Sequence, residues 1–513
     1  MDTDRSTIRI SVRNLVEFVM RGGDIDNRRT SSAEKDAMQA GSRMHRKIQK
    51  RQGADYHAEV SMKHRVEQED YQILVEGRAD GIIEAVSGVT IDEIKCVYMD
   101  IRQLEEPLPV HLAQALCYGY MYCCDHENVN TITIQITYCN LETEEIRRLK
   151  QDKTREELET WFQGLIHEYL KWAEYLYRHT LRRDESLREL EFPYKYRAGQ
   201  KELAVSVYRA LARKRNLFIQ APTGIGKTLS VVYPSLKSMG NGNGEKLFYL
   251  TAKTITRSVA ENCFFLLRER GMLFTTVTIT AKEKLCPLEK TECNPDVCPY
   301  AKGHFDRVND AVFDILHEQQ GITRKIILDY AEKYQVCPFE FCLDISSWTD
   351  GIICDYNYVF DPNVRLKRYF AEGEQTGSYL FLVDEAHNLV PRAREMYSAA
   401  VVKEDLLLAK RILKGLPGAA KTVSLLDACN KRMLELKRAY GTGKEEEGIS
   451  HRRVLGADYE LLGDVKLLAL ELMAMFGELE AFMNENGEFT DRDLVLELYF
   501  KVRDFLNIHD RLD

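Results

Sequence analysis

The sequence predicts an α/β protein of three or four domains, and three observations carry the prediction. Its 513 residues are several times the span of one hydrophobic core. From about residue 185 the apolar runs NLFIQ, KLFYLT and YLFLVDEA alternate with helical stretches, the order expected of a parallel sheet covered by helices. Ahead of them, alternating strands such as TITIQITYC (131–139) lead into the long amphipathic run REELETWFQGLIHEYLKWAEYLYRHTLRRD, which suits the end of a first domain near residue 180. A hydrophobic content of 44% with 29% charged residues excludes a mainly disordered or fibrous chain. No window reaches the roughly 18 apolar residues of a membrane span, and the opening MDTDRSTIRISVRNLVEF lacks the order of a signal peptide, so a cytoplasmic protein with no membrane partner is expected.

The net charge is −9, so any nucleic-acid contact must come from local basic surfaces and not from a global field. Thirteen cysteines, an odd number, argue against a disulfide framework and for reduced thiols, some of them able to bind metal.

NLFIQAPTGIGKTLSVVYPSL reads as a buried strand, a loop and a helix. The loop, Ala221, Pro222, Thr223, Gly224, Ile225 and Gly226, turns backbone N–H groups towards phosphate; Lys227 reaches the β/γ phosphates of ATP and Thr228 ligates Mg²⁺. Ala221 stands where the general pattern has glycine. At the end of another apolar strand YLFLVDEAHNL supplies Asp384, which would hold Mg²⁺ through water, and Glu385, which would orient or deprotonate the attacking water. His387 would link the nucleotide to a nucleic-acid surface. Two acids at a strand end are more often a solvated surface, but the P-loop upstream weighs against that reading.

These residues resemble the DEAH-type helicases of superfamily 2, and more narrowly the iron-sulfur XPD/DinG group. FPYKYRAGQKE is similar to the group's adenine-recognition element, with Gln200 the matching glutamine and Arg197 its neighbour. YLTAKTITRS, with Lys253, Thr254 and Arg257, is similar to the strand and loop that grip DNA phosphates, and CDYNYVFDP (354–362) to the stretch before the DEAH box. The resemblance covers roughly 185–513 and implies an ATP-driven motor moving 5′ to 3′ on single-stranded or forked DNA. RLKRYF (365–370) and KRMLELKR (431–438) are basic enough to face DNA, although such runs are more often solvated helix faces.

Within LCPLEKTECNPDVCPYAKG and YQVCPFEFC, Cys286, Cys293, Cys298 and Cys337 are separated by six, four and thirty-eight residues. Zinc sites usually pair ligands two to four residues apart, so zinc is the less natural occupant, while four loosely spaced thiolates suit a [4Fe-4S] cluster. The resembled helicases carry such a cluster between the P-loop and DEAH strands, where this insertion (286–337) lies. Cys342 competes with Cys337 for the fourth place; Cys263 and Cys354 read as core thiols.

QILVEGRADGIIEAVSGVTIDEIKCVYM reads as two strands joined by a Val-Ser-Gly turn, with Asp80 on the first. Residues two apart on a strand share a face, so Glu93 and Lys95 project together while Asp92, Ile94 and Cys96 face the other way. Asp80 and Glu93 can then hold Mg²⁺ or Mn²⁺ beside Lys95, a set suited to phosphodiester hydrolysis. With His45 on an upstream helix, and Gln114 and Tyr118 four apart on a downstream one, the order resembles a RecB-type PD-(D/E)XK nuclease. A plain acidic hairpin, with His45 structural, is the competing reading.

The expected arrangement is therefore a PD-(D/E)XK nuclease-like domain (1–180), a RecA-like P-loop lobe (185–395) interrupted by the iron-sulfur insertion (286–337), and a helical arch-like domain (396–513). No second-lobe arginine element follows the DEAH strand, so a motor-deficient fragment of a longer nuclease-helicase is expected. ATP, Mg²⁺ and a [4Fe-4S] cluster, with Mn²⁺ as alternative nuclease metal, are the implied cofactors, and DNA repair or recombination the implied setting. Two other functions stay open: a DNA nuclease whose ATP-binding part only gates or recognises DNA, and a non-catalytic DNA-binding platform.

Overall fold

The computed structural model describes residues 7–27, 34–222, 224–252, 254–370, 377–440, 465–487 and 489–511. Two packed units divide the chain: one runs to Asp355 and includes Gly373–Asp384, the other comprises Tyr356–Glu372 and Glu385–Asp513. The N-terminal sheet and the parallel sheet belong to one unit, and the helices after Glu385 to the other.

In the first unit, a mixed sheet is built on the long strand β3 (Gln72–Ala85). One edge of β3 pairs antiparallel with β2 (Tyr56–Glu67). The other pairs parallel with β1 (Thr7–Ser11) along its first half and antiparallel with β4 (Gly88–Val97) along its second. β5 (Thr131–Asn140) lies parallel to β4, which the intervening helix Pro109–Asp125 permits by crossing back over the sheet, and β6 (Ile146–Thr154) closes the order antiparallel to β5. The helix Arg155–Glu189 then starts at a capping box, in which the Thr154 hydroxyl accepts from the Glu157 N–H and the Glu157 carboxylate accepts from the Thr154 N–H.

That helix joins the two sheets. Trp172 is buried among Phe18, Phe313 and Trp348, with ring centroids 4.9, 5.1 and 4.5 Å away. Its last turns bring Leu187, with Leu190 just beyond, into one core with Val232, Leu236, Leu247 and Phe264. This shared packing is why the first 180 residues do not separate as a unit.

The second sheet is parallel throughout, in the order β11 (Tyr379–Val383), β7 (Lys246–Leu250), β10 (Gly351–Cys354), β8 (Thr276–Thr278), β9 (Gly321–Ile322). KLFYL forms β7 and is buried on both faces, which is what a continuous apolar run in a parallel sheet predicts. NLFIQ does not behave so. Residues 216–220 are coil, Phe218 is 93% exposed, and β11 is the edge strand. Backbone pairing, not apolarity, holds a strand, and 216–220 pair with no strand of this sheet.

In the second unit the helices Lys403–Leu413, Ala420–Tyr440, Lys466–Glu485 and Arg492–His509 pack around Leu406, Leu413, Leu426, Leu472, Leu479, Val495 and Val502. Leu468, Leu472, Met475, Leu479 and Phe482 recur every three or four residues and line one helix face. The GTGKEEEG segment lies outside the described residues. No described helix is long and apolar enough to cross a membrane.

A buried ion network ties the joining helix to the parallel sheet. Asp350, just before β10, accepts from Arg183 (3.0 Å) and from the Thr275 N–H (2.8 Å), and lies 2.7 Å from His179 Nε2. Burial alone would raise the Asp350 pKa, but His179, Arg183 and the Thr275 N–H outweigh it and hold the carboxyl well below its usual range. Its contribution to stability is therefore present above the ordinary carboxylate pKa and lost as pH falls through the depressed one. Asp350→Ala leaves Arg183 buried without this partner, and is expected to cost about 3–5 kcal/mol in chemical unfolding at neutral pH. An unchanged midpoint would show that the network carries no stability.

Candidate functional site

The N-terminal carboxylates meet as the strand pattern requires. Gly81 of β3 pairs with Asp92 of β4, so Asp80 and Glu93, one step further along each strand, share a face. Asp80 Oδ2 accepts from the Ile94 N–H at 2.7 Å. Lys95 Nζ lies 2.8 Å from Glu93 Oε1 and 2.6 Å from Gln114 Oε1, which the helix Pro109–Asp125 supplies. His45, on the helix Glu34–Gln49, places Nδ1 3.7 Å from Asp80 Oδ1. Asp92 faces the opposite side, buried against Gln135 and Thr137.

Burial raises the pKa of both Asp80 and Glu93; each is next to the other, and Glu93 is pushed up to about 7. Glu93 Oε2 is buried with no hydrogen-bond partner among the described residues. A desolvated carboxylate oxygen beside a second carboxylate is a strong attractor for a divalent cation. No three His, Cys, Asp or Glu side chains among the described residues converge closely enough to cage an ion by themselves. Mg²⁺ needs no such cage, because it usually keeps several waters and takes only one or two carboxylates.

Tyr118 lies near enough to Glu93 and Asp80 for burial and their charges to push its pKa up. It packs beside Gly77, where an added Cβ would sit 2.6 Å from its hydroxyl, and so braces β3. Two residues that sequence reasoning missed hold the Asp80 carbonyl: Gln49 Nε2 at 3.0 Å and the Tyr56 hydroxyl at 3.4 Å. Gln49 follows His45 by four residues on one helix face, which was a usable signal.

In the phosphate loop, Gly224 and Gly226 have φ of +85° and +77°, which favours glycine at both positions. The helix Lys227–Gly240 starts directly after Gly226. Gln200 Nε2 donates to the Ile225 carbonyl at 3.1 Å, Gln200 Oε1 accepts from the Arg197 N–H at 3.0 Å, and the Arg197 guanidinium donates to the Gly224 carbonyl. The glutamine and arginine picked out by sequence thus brace the loop. Thr223 and Lys253 lie outside the described residues, as do the side chains of Thr254 and Ile255. Ala221 and Pro222 are coil leading into the turn.

Asp384 extends the pairing of β11, its N–H donating to the Leu250 carbonyl at 2.9 Å. Tyr249 lies beside Thr228 and Asp384, and burial together with the Asp384 carboxylate pushes its pKa up. Nothing marked Tyr249 in advance, since a tyrosine inside KLFYL reads as core. In the second unit, Glu385 adopts φ of +51° and lies 3.5 Å from His387 Nδ1, which is largely exposed.

Cys286, Cys293, Cys298 and Cys337 line one small cavity, together with Ile25 and Lys282. Cys342 does not: it is fully buried elsewhere, its thiol towards the Thr278 carbonyl at 3.8 Å, so Cys337 takes the fourth place around the cavity. Cys263 and Cys354 are buried core thiols. The fully buried His304, which the sequence did not suggest, accepts the Cys337 N–H on Nδ1 at 3.1 Å; burial lowers its pKa to about 4 and keeps the ring neutral.

A DEAD/DEAH box helicase family model matches residues 200–313, and a model described as DEAD_2 matches 273–406. The chain carries DEAD/DEAH-box helicase motifs. This helicase-motif chain is 22% identical over 271 residues to the regulator of telomere elongation helicase 1 homolog of Caenorhabditis briggsae, covering 44% of the chain and 26% of that protein. It is 31% identical over 87 residues to the Fanconi anemia group J protein homolog of Gallus gallus, covering 17% and 7%. The chain spans about a quarter of the length of the telomere-elongation helicase homologs it matches. Among solved structures, a truncated XPD aligns over 61% of this chain and 82% of its own, with 15% identity and a TM-score of 0.36. The Xpd4 of S. tokodaii aligns over 60% and 49%, with 16% identity and a TM-score of 0.31.

Two adjacent buried carboxylates strain the metal-free fold. A glutamate held above its unfolded pKa contributes stability at low pH and loses it as pH rises from about 4.5 to about 7. At pH 8 without divalent metal, Asp80→Asn is expected to melt higher than wild type, by about 2–4 °C per kcal/mol relieved. Mn²⁺ should raise the melting temperature of wild type and leave that of the variant unmoved. Equal responses in calorimetry would show that Asp80 and Glu93 do not share a cation.

Proposed function

We propose that the chain is an ATP-dependent DNA helicase of the XPD/DinG type joined to a metal-dependent DNA nuclease of the RecB type, acting in DNA repair or recombination. Support for the motor half is the pair of helicase family matches over a braced phosphate loop. The observation that carries the nuclease half is Lys95, held between Glu93 and Gln114 beside Asp80, with one Glu93 oxygen buried and unpartnered.

Asp80 and Glu93 would hold Mg²⁺ or Mn²⁺, with His45 at the rim next to Asp80. When bound, such a metal activates water and offsets phosphate charge. Lys95 presents its ammonium group to the same region, fixed by Gln114, where it can orient a water or offset developing negative charge on a phosphate oxygen. In the motor, Lys227 and Thr228 follow the phosphate turn, and Asp384 lies beside Thr228 through Tyr249, the placement needed for ATP with Mg²⁺. Glu385 is the proposed orienting carboxylate and His387 its neighbour.

The cysteine cavity is proposed to hold a [4Fe-4S] cluster. Zinc sites usually pair their ligands two to four residues apart, and the spacing of these four cysteines is looser than that. A cluster takes four thiolates, one on each iron, and four cysteines line this one cavity. When bound, it would cross-link the four segments that carry the cysteines.

Cleavage of DNA with Mn²⁺ is expected to fall by about 10²–10⁴ in Lys95→Ala and to vanish in Asp80→Ala. Lys227→Ala should abolish DNA-stimulated ATP turnover yet leave ATP-independent cleavage intact. A triple Asp80, Glu93, Lys95→Ala variant cutting at the wild-type rate would remove the nuclease reading. Anaerobically purified protein should carry about four irons and four sulfides per chain, lost in Cys293→Ser or Cys298→Ser; zinc in their place would refute the cluster.

A further inference from the structure

We propose that residues 21–27 form a strap that closes the cysteine cavity, so that the occupant of the cavity and the docking of the strap stabilise each other. The proposal rests on the cluster reading of that cavity.

The strap follows the helix Val12–Val19 and precedes the helix of His45 in the chain, yet it hydrogen-bonds to the cysteine insertion. The Ile25 N–H donates to the Ala301 carbonyl and the Asn27 N–H to the Cys293 carbonyl, both at 2.9 Å. A reciprocal pair of carboxylates flanks them: the Gly23 N–H donates to Asp306 Oδ1 at 2.7 Å, and the Gly303 N–H donates to Asp24 Oδ1 at 2.6 Å. The Phe305 N–H returns to the Gly23 carbonyl at 3.0 Å. Gly23 has φ of +86°, a conformation that allows this turn and that side chains disfavour.

Arg21 anchors the start of the strap. Its guanidinium lies 2.8 Å from Asp344 and donates to Asn309, and the ion pair is only 18% and 16% exposed. Asp344 sits on the helix Pro338–Trp348, which begins directly after Cys337. The strap therefore touches the segments of three of the four cysteines: at Cys293 itself, at the turn after Cys298, and on the helix after Cys337. Ile25 is the apolar side chain that it lends to the cavity wall.

The acceptors that hold the strap are the backbone and side chains that an occupant would fix in place, so loading and docking are linked. Each must favour the other by the same factor. With the strap displaced, Ile25 no longer covers the cavity and solvent, oxygen and chelators reach the thiolates.

The test needs no knowledge of substrate. In wild type, hydrogen exchange of residues 20–27 is measured before and after the iron is stripped by chelation. Separately, bleaching of the visible cluster absorbance under air is compared between wild type and the double variant Arg21→Ala, Asp24→Ala, which spares every cysteine. Faster strap exchange after stripping, together with about tenfold faster bleaching in the variant, is expected. Unchanged strap exchange in stripped wild type overturns the proposal even where the variant folds poorly, and so does equal bleaching. Iron-free wild type overturns the cluster reading and this proposal with it, whereas iron-loaded wild type with an indifferent strap overturns the strap alone.

Discussion

The buried carboxylate of Asp350 is the constraint around which the first unit is organised. A fully buried acid is tolerated only with cations and donors in fixed places, and Asp350 collects Arg183 and His179 from the last turns of a 35-residue helix and the amide of Thr275, just before β8. That requirement sets the position of the helix end on the parallel sheet. From there the helix runs back under the mixed sheet, and Trp172 fills the space between Phe18 on one side and Phe313 and Trp348 on the other. Aromatic packing supplies the area and the ion network supplies the register.

Much of the N-terminal site was legible because strand geometry is rigid. Given two strands and a tight turn, the side on which Glu93 and Lys95 emerge follows from a period of two, and Asp80 meets them by antiparallel pairing. Helical neighbours are less determined: a spacing of four puts Gln114 and Tyr118 on one helix face, but only the fold sets Gln114 against Lys95 and Tyr118 against Gly77, where the missing side chain leaves room for a ring. The glycines of the phosphate loop were legible for the same reason as the strands, since few backbone shapes satisfy that spacing.

What the sequence concealed depends on partners remote in the chain. NLFIQ has the composition of a core strand, but composition does not provide a neighbour for its amides, and residues 216–220 remain unpaired with the sheet. Tyr249 gains its place beside Thr228 and Asp384 only when β7 is set next to β11. His304 and the residues 21–27 reach the cysteines across hundreds of positions or from another element, with no local pattern to announce them. The merging of the first 180 residues with the parallel sheet is of the same kind, because it rests on tertiary packing along a helix that looks locally like a domain end.

Net negative charge shapes how such a chain can act on a polyanion. With −9 overall, long-range attraction to DNA is unfavourable, so phosphate must be met by local features. On the proposed function the chain uses two opposite solutions. In the phosphate loop, positive character comes from backbone amides at a helix start and from Lys227, and it is permanent. In the mixed sheet the protein contributes mainly acid, with Lys95 as the nearby fixed cation, so the site is repulsive to phosphate until a divalent ion neutralises Asp80 and Glu93. Phosphate affinity in the loop is thus a property of the fold, whereas in the carboxylate site it depends on the metal. On the proposed function, one chain therefore holds nucleotide under conditions in which its N-terminal site still rejects DNA.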